Sequence, residues 1–210
     1  MSVVDQLASQ LDRKDEAPNI ELAHHLAVEQ DHAGIEEIIA NLSNKDKKIQ
    51  YDCIKTAYEI GNVNPSLISQ YAPKFIELLK SRNNRMVWGG MMALATIAEE
   101  ASEILMAHLK TIQTAMKNGS VITIDKGVLT LAKLASVSKE NNEVIFPILL
   151  DHLENCRTKE IPQHAESAFI AVTEENKEDF LNVLRKRDQY LTNPQFKRVN
   201  KLYKRLEIKS

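Results

Sequence analysis

The stretch at residues 84–99, NRMVWGGMMALATIAE, decides the fold, because its pattern of apolar and small residues returns 37 positions later in VITIDKGVLTLAKLAS, residues 121–136. Positions that lie 37 residues apart form a column of the repeat. Five such columns are apolar in all four successive repeats, without a gap. They are Ile38, Phe75, Ile112 and Leu149; Leu42, Leu79, Met116 and Leu153; Ile54, Met91, Val128 and Ala165; Ala57, Leu94, Leu131 and Ala168; and Ile60, Ile97, Leu134 and Ala171. A chain that is 43% apolar does not readily give such columns by chance, so the sequence contains a strict 37-residue repeat.

Each repeat is predicted to hold two amphipathic helices, because its apolar residues recur at the i, i+3, i+4, i+7 spacing of one helix face. The first helices are predicted at 33–43, 65–80, 102–117 and 139–155, and the second at 46–60, 84–99, 121–136 and 162–173. Two further helices are predicted before the repeats, at 2–12 and 19–30, and two after them, at 175–190 and 194–207. The short links between them place neighbouring helices antiparallel.

The predicted architecture is all-α, with about six antiparallel helix pairs in a single domain over residues 1–210. Residues 33–173 form the regular repeats, residues 1–32 an atypical N-terminal cap, and residues 174–210 a basic C-terminal cap. Atypical ends are expected because a terminal repeat must present one polar face to water.

Two further features of the repeat are typical of a known family of helical repeats. Pro73 in QYAPKFIELLK and Pro147 in VIFPILLDHLE lie in the same column, and the second helices end in small apolar runs, MALATIA at 92–98 and LTLAKLA at 129–135. These features resemble the HEAT repeat, whose first helix often carries a bending proline. The column in which that family often has arginine holds Gln50, Val87, Ile124 and Ile161. The resemblance is therefore to a divergent HEAT/armadillo-type α-solenoid, and it implies a right-handed α–α superhelix.

The composition favours a soluble cytoplasmic protein. The chain is 27% charged with a net charge of −2, and it contains no apolar run as long as a membrane span. The first residues lack the basic and apolar regions of a secretory signal. Cys53 and Cys156 lie far apart without zinc-like spacing, so we expect free thiols in a reduced compartment.

The histidines do not form a recognisable metal motif. Glu21 and His24 make a Glu-x-x-His pair, and His25 with Glu29 makes an i, i+4 pair on the same predicted helix. A carboxylate-bridged site needs a second such helix opposite the first, and the chain has no other Glu-x-x-His. HEAT-like di-iron hydroxylases use repeated His-Glu dipeptides, and none occurs here. We therefore expect no metal, no cofactor and no enzymatic activity.

A HEAT-like DNA glycosylase that removes alkylated bases is a distant alternative. Its cleft is lined by tryptophans, with a catalytic carboxylate near the first of them. Here Trp88 is the single tryptophan, and the residue one turn later is Met92 rather than aspartate. The nearest carboxylate is Asp125, which lies in the column of Trp88 one repeat later. A cleft that stacks a nucleobase requires more aromatic surface than this.

Two glycines in the middle of the second repeat's second helix lower its intrinsic stability by ~2 kcal/mol relative to alanine. The other residues in the column of Gly90 are Cys53, Gly127 and His164. Most are small, which favours close helix packing at Gly90. The other residues in the column of Gly89 are Asp52, Lys126 and Gln163. These are polar, so Gly89 is predicted to face solvent.

The solvent-facing columns of the second helices predict a partner-binding groove on the concave face, with apolar residues at its centre and charges including Asp52 and Lys55 at its rim. Its predicted contact residues are Tyr51, Trp88, Gly89, Met92, Lys126, Leu129 and Lys133. A helix or an extended peptide is the expected ligand, and the expected function is a non-enzymatic protein-binding scaffold. The alternative that Trp88 is a core residue stays open.

Uneven charge leaves two other interpretations. Residues 1–40 carry nine acidic and two basic side chains, whereas residues 185–210 carry nine basic and two acidic ones. The basic end, with Tyr190, Phe196 and Tyr203 interleaved, is compatible with nucleic-acid binding. The opposite charges of the two ends also allow head-to-tail self-association.

Overall fold

The computed structural model describes residues 2–207, and every regular element within that range is a helix or a helical turn. Twelve α-helices are described. They are α1 (Ala17–Val28), α2 (His32–Ala40), α3 (Lys47–Val63), α4 (Ala72–Leu78), α5 (Asn84–Ile97), α6 (Ser102–Ala107), α7 (Leu109–Asn118), α8 (Val121–Val137), α9 (Lys139–Asn155), α10 (Ile161–Ala168), α11 (Lys177–Arg187) and α12 (Asn193–Glu207). Short 3-10 turns extend or join several of them. No helix within the described residues is long and apolar enough to cross a membrane.

The sequence repeat appears in the helix starts. Helices α3, α5 and α8 begin at Lys47, Asn84 and Val121, at intervals of 37 residues. The residues before the first two, Asp46 and Asn83, cap their helices by accepting a hydrogen bond from a backbone N–H of the first turn. All residues of the five apolar columns are at most 9% exposed. The apolar columns therefore correspond to helix faces that successive 37-residue repeats bury.

The chain divides into two compact units, the first unit at residues 1–127 and the second unit at residues 128–210, with the boundary inside α8. In the first unit, α3 packs between α1 and α5, while α2 packs on α3 and α4 packs on α5. In the second unit, α10 packs on α12 and α9 packs on α11. Each unit thus has two layers of helices. The single domain over residues 1–210 stays a prediction.

The predicted helix at 2–12 is wrong. Only Val3–Gln6 forms a 3-10 helix, and residues 8–12 form turns. The backbone N–H groups of Ala8 and Ser9 donate to the side chains of Asn19 and Asp52, at 2.9 and 2.8 Å, instead of to helical carbonyls. Two side-chain acceptors therefore replace the hydrogen bonds that a helix would have made.

Replacing Asn19 with alanine is expected to lower the free energy of unfolding by about 1–3 kcal/mol, because a buried backbone donor loses its acceptor. The Asn19 side chain is fully buried, accepts from Ala8 and donates from Nδ2 to Asp52 Oδ1 at 2.8 Å. Urea unfolding followed by circular dichroism measures the change. Asn62→Ala is the matched control, because Asn62 is exposed and should change stability by less than about 0.5 kcal/mol. Equal effects of the two substitutions would contradict the anchoring role.

Two of the predicted first helices are shorter than expected. The segment 65–80 begins with two 3-10 turns, and only Ala72–Leu78 is α-helical. Proline has no N–H and its ring clashes with a helical carbonyl, so Pro73 lies in the first turn of α4 rather than inside a long helix. Its equivalent Pro147 does lie inside α9. The segment 102–117 breaks at His108, and no sequence signal marks that break.

Candidate protein-binding face

Helices α3 and α5 bring the two predicted aromatic residues of the first unit around one arginine. The guanidinium carbon of Arg85 lies 4.7 Å from the ring centroid of Tyr51 and 5.7 Å from that of Trp88. Asn83 Nδ2 donates to the Tyr51 hydroxyl at 3.0 Å. Trp88 and Met92 are one helical turn apart on α5 and, like Tyr51, are half-buried. We call Tyr51, Arg85, Trp88 and Met92 the aromatic face.

Asn83 and the first turn of α5 position Tyr51 and Arg85 in the aromatic face. Asn83 caps α5, so the same side chain that starts the helix also fixes the Tyr51 hydroxyl. Arg85 follows in the first turn, and its guanidinium carbon lies over both rings within cation–π distance. The rings and the arginine therefore form a preorganised surface. Arginine and aromatic side chains are also the residues that contribute most to protein interfaces.

Ion pairs border this face. Glu16, just before α1, accepts from Lys55 Nζ at 3.1 Å and from Arg85 Nη2 at 3.4 Å. Lys55 also pairs with Glu59 at 2.7 Å. Burial alone would lower the pKa of Lys55, but the hydrogen bonds to Glu59 and Glu16 raise it above its ordinary value. Lys55 therefore stays charged and joins α3 to the residues before α1.

Gly89 does not face solvent, and that prediction is wrong. It is buried in α5, and a Cβ at this position would lie 2.6 Å from Cγ1 of Ile54 on α3. The prediction used the polar residues in its column, and residue polarity does not show how closely α3 and α5 approach at Gly89. Gly90 is close-packed as predicted, since a Cβ there would lie 3.0 Å from the Phe75 carbonyl oxygen.

The two predicted rim residues on α3 have internal partners instead. Asp52 accepts hydrogen bonds from Ser9 and Asn19, and so holds the N-terminal segment in place. Lys55 is only 9% exposed because of its ion pairs. Sequence columns identify which side of a helix is polar, but they do not distinguish a charge in water from one paired across helices.

The three predicted residues on α8 are half-buried. Lys126 lies in the first unit, and Leu129 and Lys133 lie in the second unit. Their role in binding stays a prediction.

Two described grooves of the first unit are lined by residues other than those of the aromatic face. One is lined by residues including Gln50, Tyr71 and Met86, and another by residues including Val87 and Thr111. Tyr51, Trp88 and Met92 line neither of them.

In the second unit, the basic side chains near the C-terminus make contacts within that unit. Arg198 binds Glu166 through two hydrogen bonds of 2.9 and 2.6 Å, and this pair raises the pKa of Arg198. Lys186 pairs with Glu154, and Arg187 donates to the carbonyl of Cys156 at 2.8 Å. The Arg205 guanidinium carbon lies 4.4 Å from the Phe169 ring centroid. Much of the positive charge predicted for a nucleic-acid surface is therefore engaged in internal contacts.

The interleaved aromatic residues of this region differ in exposure. Tyr190 is 62% exposed and Phe196 is 38% exposed. The Tyr203 hydroxyl donates to Asp188 Oδ1 at 2.8 Å, and burial raises the pKa of Tyr203. The three rings are therefore not equivalent members of one stacking surface.

No family model and no curated protein matches the chain. Solved structures do match it in fold. A designed armadillo repeat protein, YIII(Dq.V1)4CPAF in complex with the peptide (KR)4, is 16% identical with a TM-score of 0.68, and the match covers 88% of this chain and 85% of that protein. An engineered protein is 18% identical with a TM-score of 0.67, over 98% of this chain and 95% of that one.

A natural protein shares the same architecture. The karyopherin Kap121p bound to the SUMO protease Ulp1p is 15% identical with a TM-score of 0.66, over 97% of this chain. The chain spans 23% of the length of that karyopherin. The same karyopherin also matches in a structure bound to Nup53p. The fold is that of HEAT/armadillo-type helical-repeat solenoids, as predicted from the 37-residue repeat.

Proposed function

We propose that this chain is a non-enzymatic scaffold that binds a protein or peptide through the aromatic face of the first unit. The observation that carries this function is the grouping of Tyr51, Arg85 and Trp88, with the guanidinium carbon over two half-buried rings. Such a surface offers a partner aromatic contacts and arginine hydrogen bonds with little loss of side-chain entropy.

The fold supports the same class of function. The designed armadillo protein carries a bound peptide, and the karyopherin is bound to other proteins. In this chain the aromatic face lies on α3 and α5, the second helices of their repeats. We place the partner on the concave face that such second helices form, as an extended segment or a helix. Lys126, Leu129 and Lys133 on α8 are proposed as further contacts, and a cytoplasmic location is proposed with them.

The double variant Trp88→Ala/Met92→Asp is expected to abolish capture of the partner while leaving the helical circular dichroism signal intact. Both residues are half-buried and keep part of their surface exposed, so their replacement removes contact area from the face. A tagged pull-down from a lysate of the organism that encodes the chain, with bound proteins identified by mass spectrometry, is the measurement.

The matched control for this pull-down is Ile104→Asp. Ile104 is an apolar residue on α6 of the first unit and is 37% exposed, so it receives the same charge away from the aromatic face. We expect this variant to keep the partner. Partner capture by the folded double variant would refute the proposed face, and a loss of helicity in it would identify Trp88 and Met92 as core residues.

Nucleic-acid binding has less support, because Arg198, Lys186 and Arg187 already have partners within the second unit. Binding through phosphates would appear as an affinity that falls steeply with salt, and it would persist in the Trp88→Ala/Met92→Asp variant. Head-to-tail self-association stays a prediction. Light scattering at low and high salt tests it, because attraction between oppositely charged ends is screened by salt.

A further inference from the structure

Helices α9 and α10 of the second unit bring together three side chains that commonly bind metals. His152 and Cys156 lie one helical turn apart at the C-terminal end of α9, where Cys156 is the capping residue. His164 lies on α10 and is fully buried, while His152 and Cys156 are half-buried. One ligand atom from each residue lies within 4.8 Å of the other two. We call these three residues the His–Cys cluster.

The spacing is close to that of a metal site. His152 Nε2 and His164 Nδ1 are 2.9 Å apart and share a hydrogen bond, which a bound ion would replace. Around a tetrahedral zinc ion, with bonds of ~2.0–2.3 Å, neighbouring ligand atoms are separated by about 3.3–3.7 Å. The two imidazole nitrogens would move apart by a few tenths of an ångström, and a separation of up to 4.8 Å would shorten by about one ångström.

The repeat gives independent support for a specialised role. Two periods before His152 and His164, the equivalent positions are Leu78 and Gly90. A Cβ on Gly90 would lie 3.0 Å from Leu78 Cβ, so this pair is a tight apolar contact between a first and a second helix. In the fourth repeat, two imidazoles occupy the positions of that contact. The pair of His152 and His164 therefore replaces an apolar contact that would have been sufficient to pack the two helices.

The segment that joins the two helices of the cluster is held by side-chain contacts. Arg187 donates to the Cys156 carbonyl at 2.8 Å. The Glu160 carboxylate is buried and pairs with Arg157. Both contacts hold the segment between the end of α9 and the start of α10.

We propose that His152, Cys156 and His164 bind a zinc ion, with a fourth position left for water or an outside ligand. Two imidazoles and one thiolate are ligands that zinc prefers, and three protein ligands with one open position form a recurring zinc arrangement. The ion would tie the end of α9 to α10. Sequence reasoning missed this site because the spacings, His-x3-Cys and then seven residues to histidine, match no common motif.

The test uses the full chain, stripped with a chelator and titrated with zinc alone in a calorimeter. One zinc ion per chain should bind, release about one proton from Cys156, and raise the thermal unfolding midpoint. Cobalt in place of zinc should give the intense thiolate-to-metal absorption that nitrogen and oxygen ligands do not produce. No stoichiometric binding, or cobalt binding without that absorption, would overturn the proposed site.

Variants assign the ligands. Cys156→Ser and His152→Ala should each weaken zinc binding by roughly 100-fold or more while the metal-free protein keeps its helicity. The matched controls are Cys53→Ser, a buried thiol in the first unit, and His25→Ala, an exposed histidine on α1. Both controls should bind zinc as the wild type does. Unchanged affinity in the Cys156 and His152 variants, or loss of binding in His25→Ala, would place the ion elsewhere and overturn the proposed site.

Discussion

Replacing Phe180 with alanine is expected to lower the free energy of unfolding by about 3–5 kcal/mol. Phe180 lies on α11 and is fully buried, and its ring centroid is 6.5 Å from that of Phe146 and 6.3 Å from that of Phe169. The substitution removes a large apolar side chain and both ring contacts, and the helices around it can close the resulting cavity only in part. Urea unfolding followed by circular dichroism measures the loss.

Phe196→Ala is the matched control for this substitution, because it makes the same chemical change on α12 of the same unit. Phe196 is 38% exposed, so its truncation removes much less buried area and leaves no closed cavity. We expect an effect of less than about 1 kcal/mol. A loss at Phe180 as small as that at Phe196 would contradict the packing of the second unit described above.

Gly89→Ala is expected to destabilise the first unit by about 1–3 kcal/mol, because its Cβ would lie 2.6 Å from a buried, β-branched side chain, Ile54. The sign of this effect is informative. If Gly89 faced solvent, as its sequence column predicts, alanine would instead stabilise the helix by up to ~1 kcal/mol. Thermal and urea unfolding of the single variant therefore distinguish the two placements.

The Ile54→Ala background provides the control for this clash. Ile54→Ala alone should lower the free energy of unfolding by about 2–5 kcal/mol, because Ile54 is 1% exposed. It also removes both Cγ atoms that a Cβ at position 89 would meet. Gly89→Ala added to this background should then be neutral or stabilising. Equal destabilisation by Gly89→Ala in both backgrounds would show that Ile54 is not the clashing residue.

Much of the fold could be predicted from the sequence, because the pattern of buried apolar residues repeats along the chain. Columns such as that of Ile38, Phe75, Ile112 and Leu149 are apolar in sequence and buried in the structure. The helix starts at Lys47 and Asn84 follow from capping residues that the sequence displays. Local signals and the hydrophobic pattern agree at these positions, so the prediction succeeds.

Other features depend on contacts between distant residues, which a local pattern does not contain. The N-terminal segment is not a helix because Asn19 and Asp52 accept its backbone hydrogen bonds. The burial of Gly89 depends on how closely α3 approaches α5, and helical periodicity does not give that distance. Sequence reasoning did not include Arg85 in the candidate site, because its contribution comes from the cation–π contacts with Tyr51 and Trp88. A charged residue one turn before a tryptophan was the signal that could have identified it.

Site-specific photocrosslinking tests the central claim, that the aromatic face binds a protein partner, most directly. A photoreactive phenylalanine analogue is placed at Met92 on the face or at Ile104 on α6, and cells of the organism that encodes the chain are irradiated. The account predicts a discrete crosslinked protein from position 92 that is absent from position 104 and is lost when Trp88→Ala is added. Crosslinks from position 104 alone, or from neither position, would contradict it.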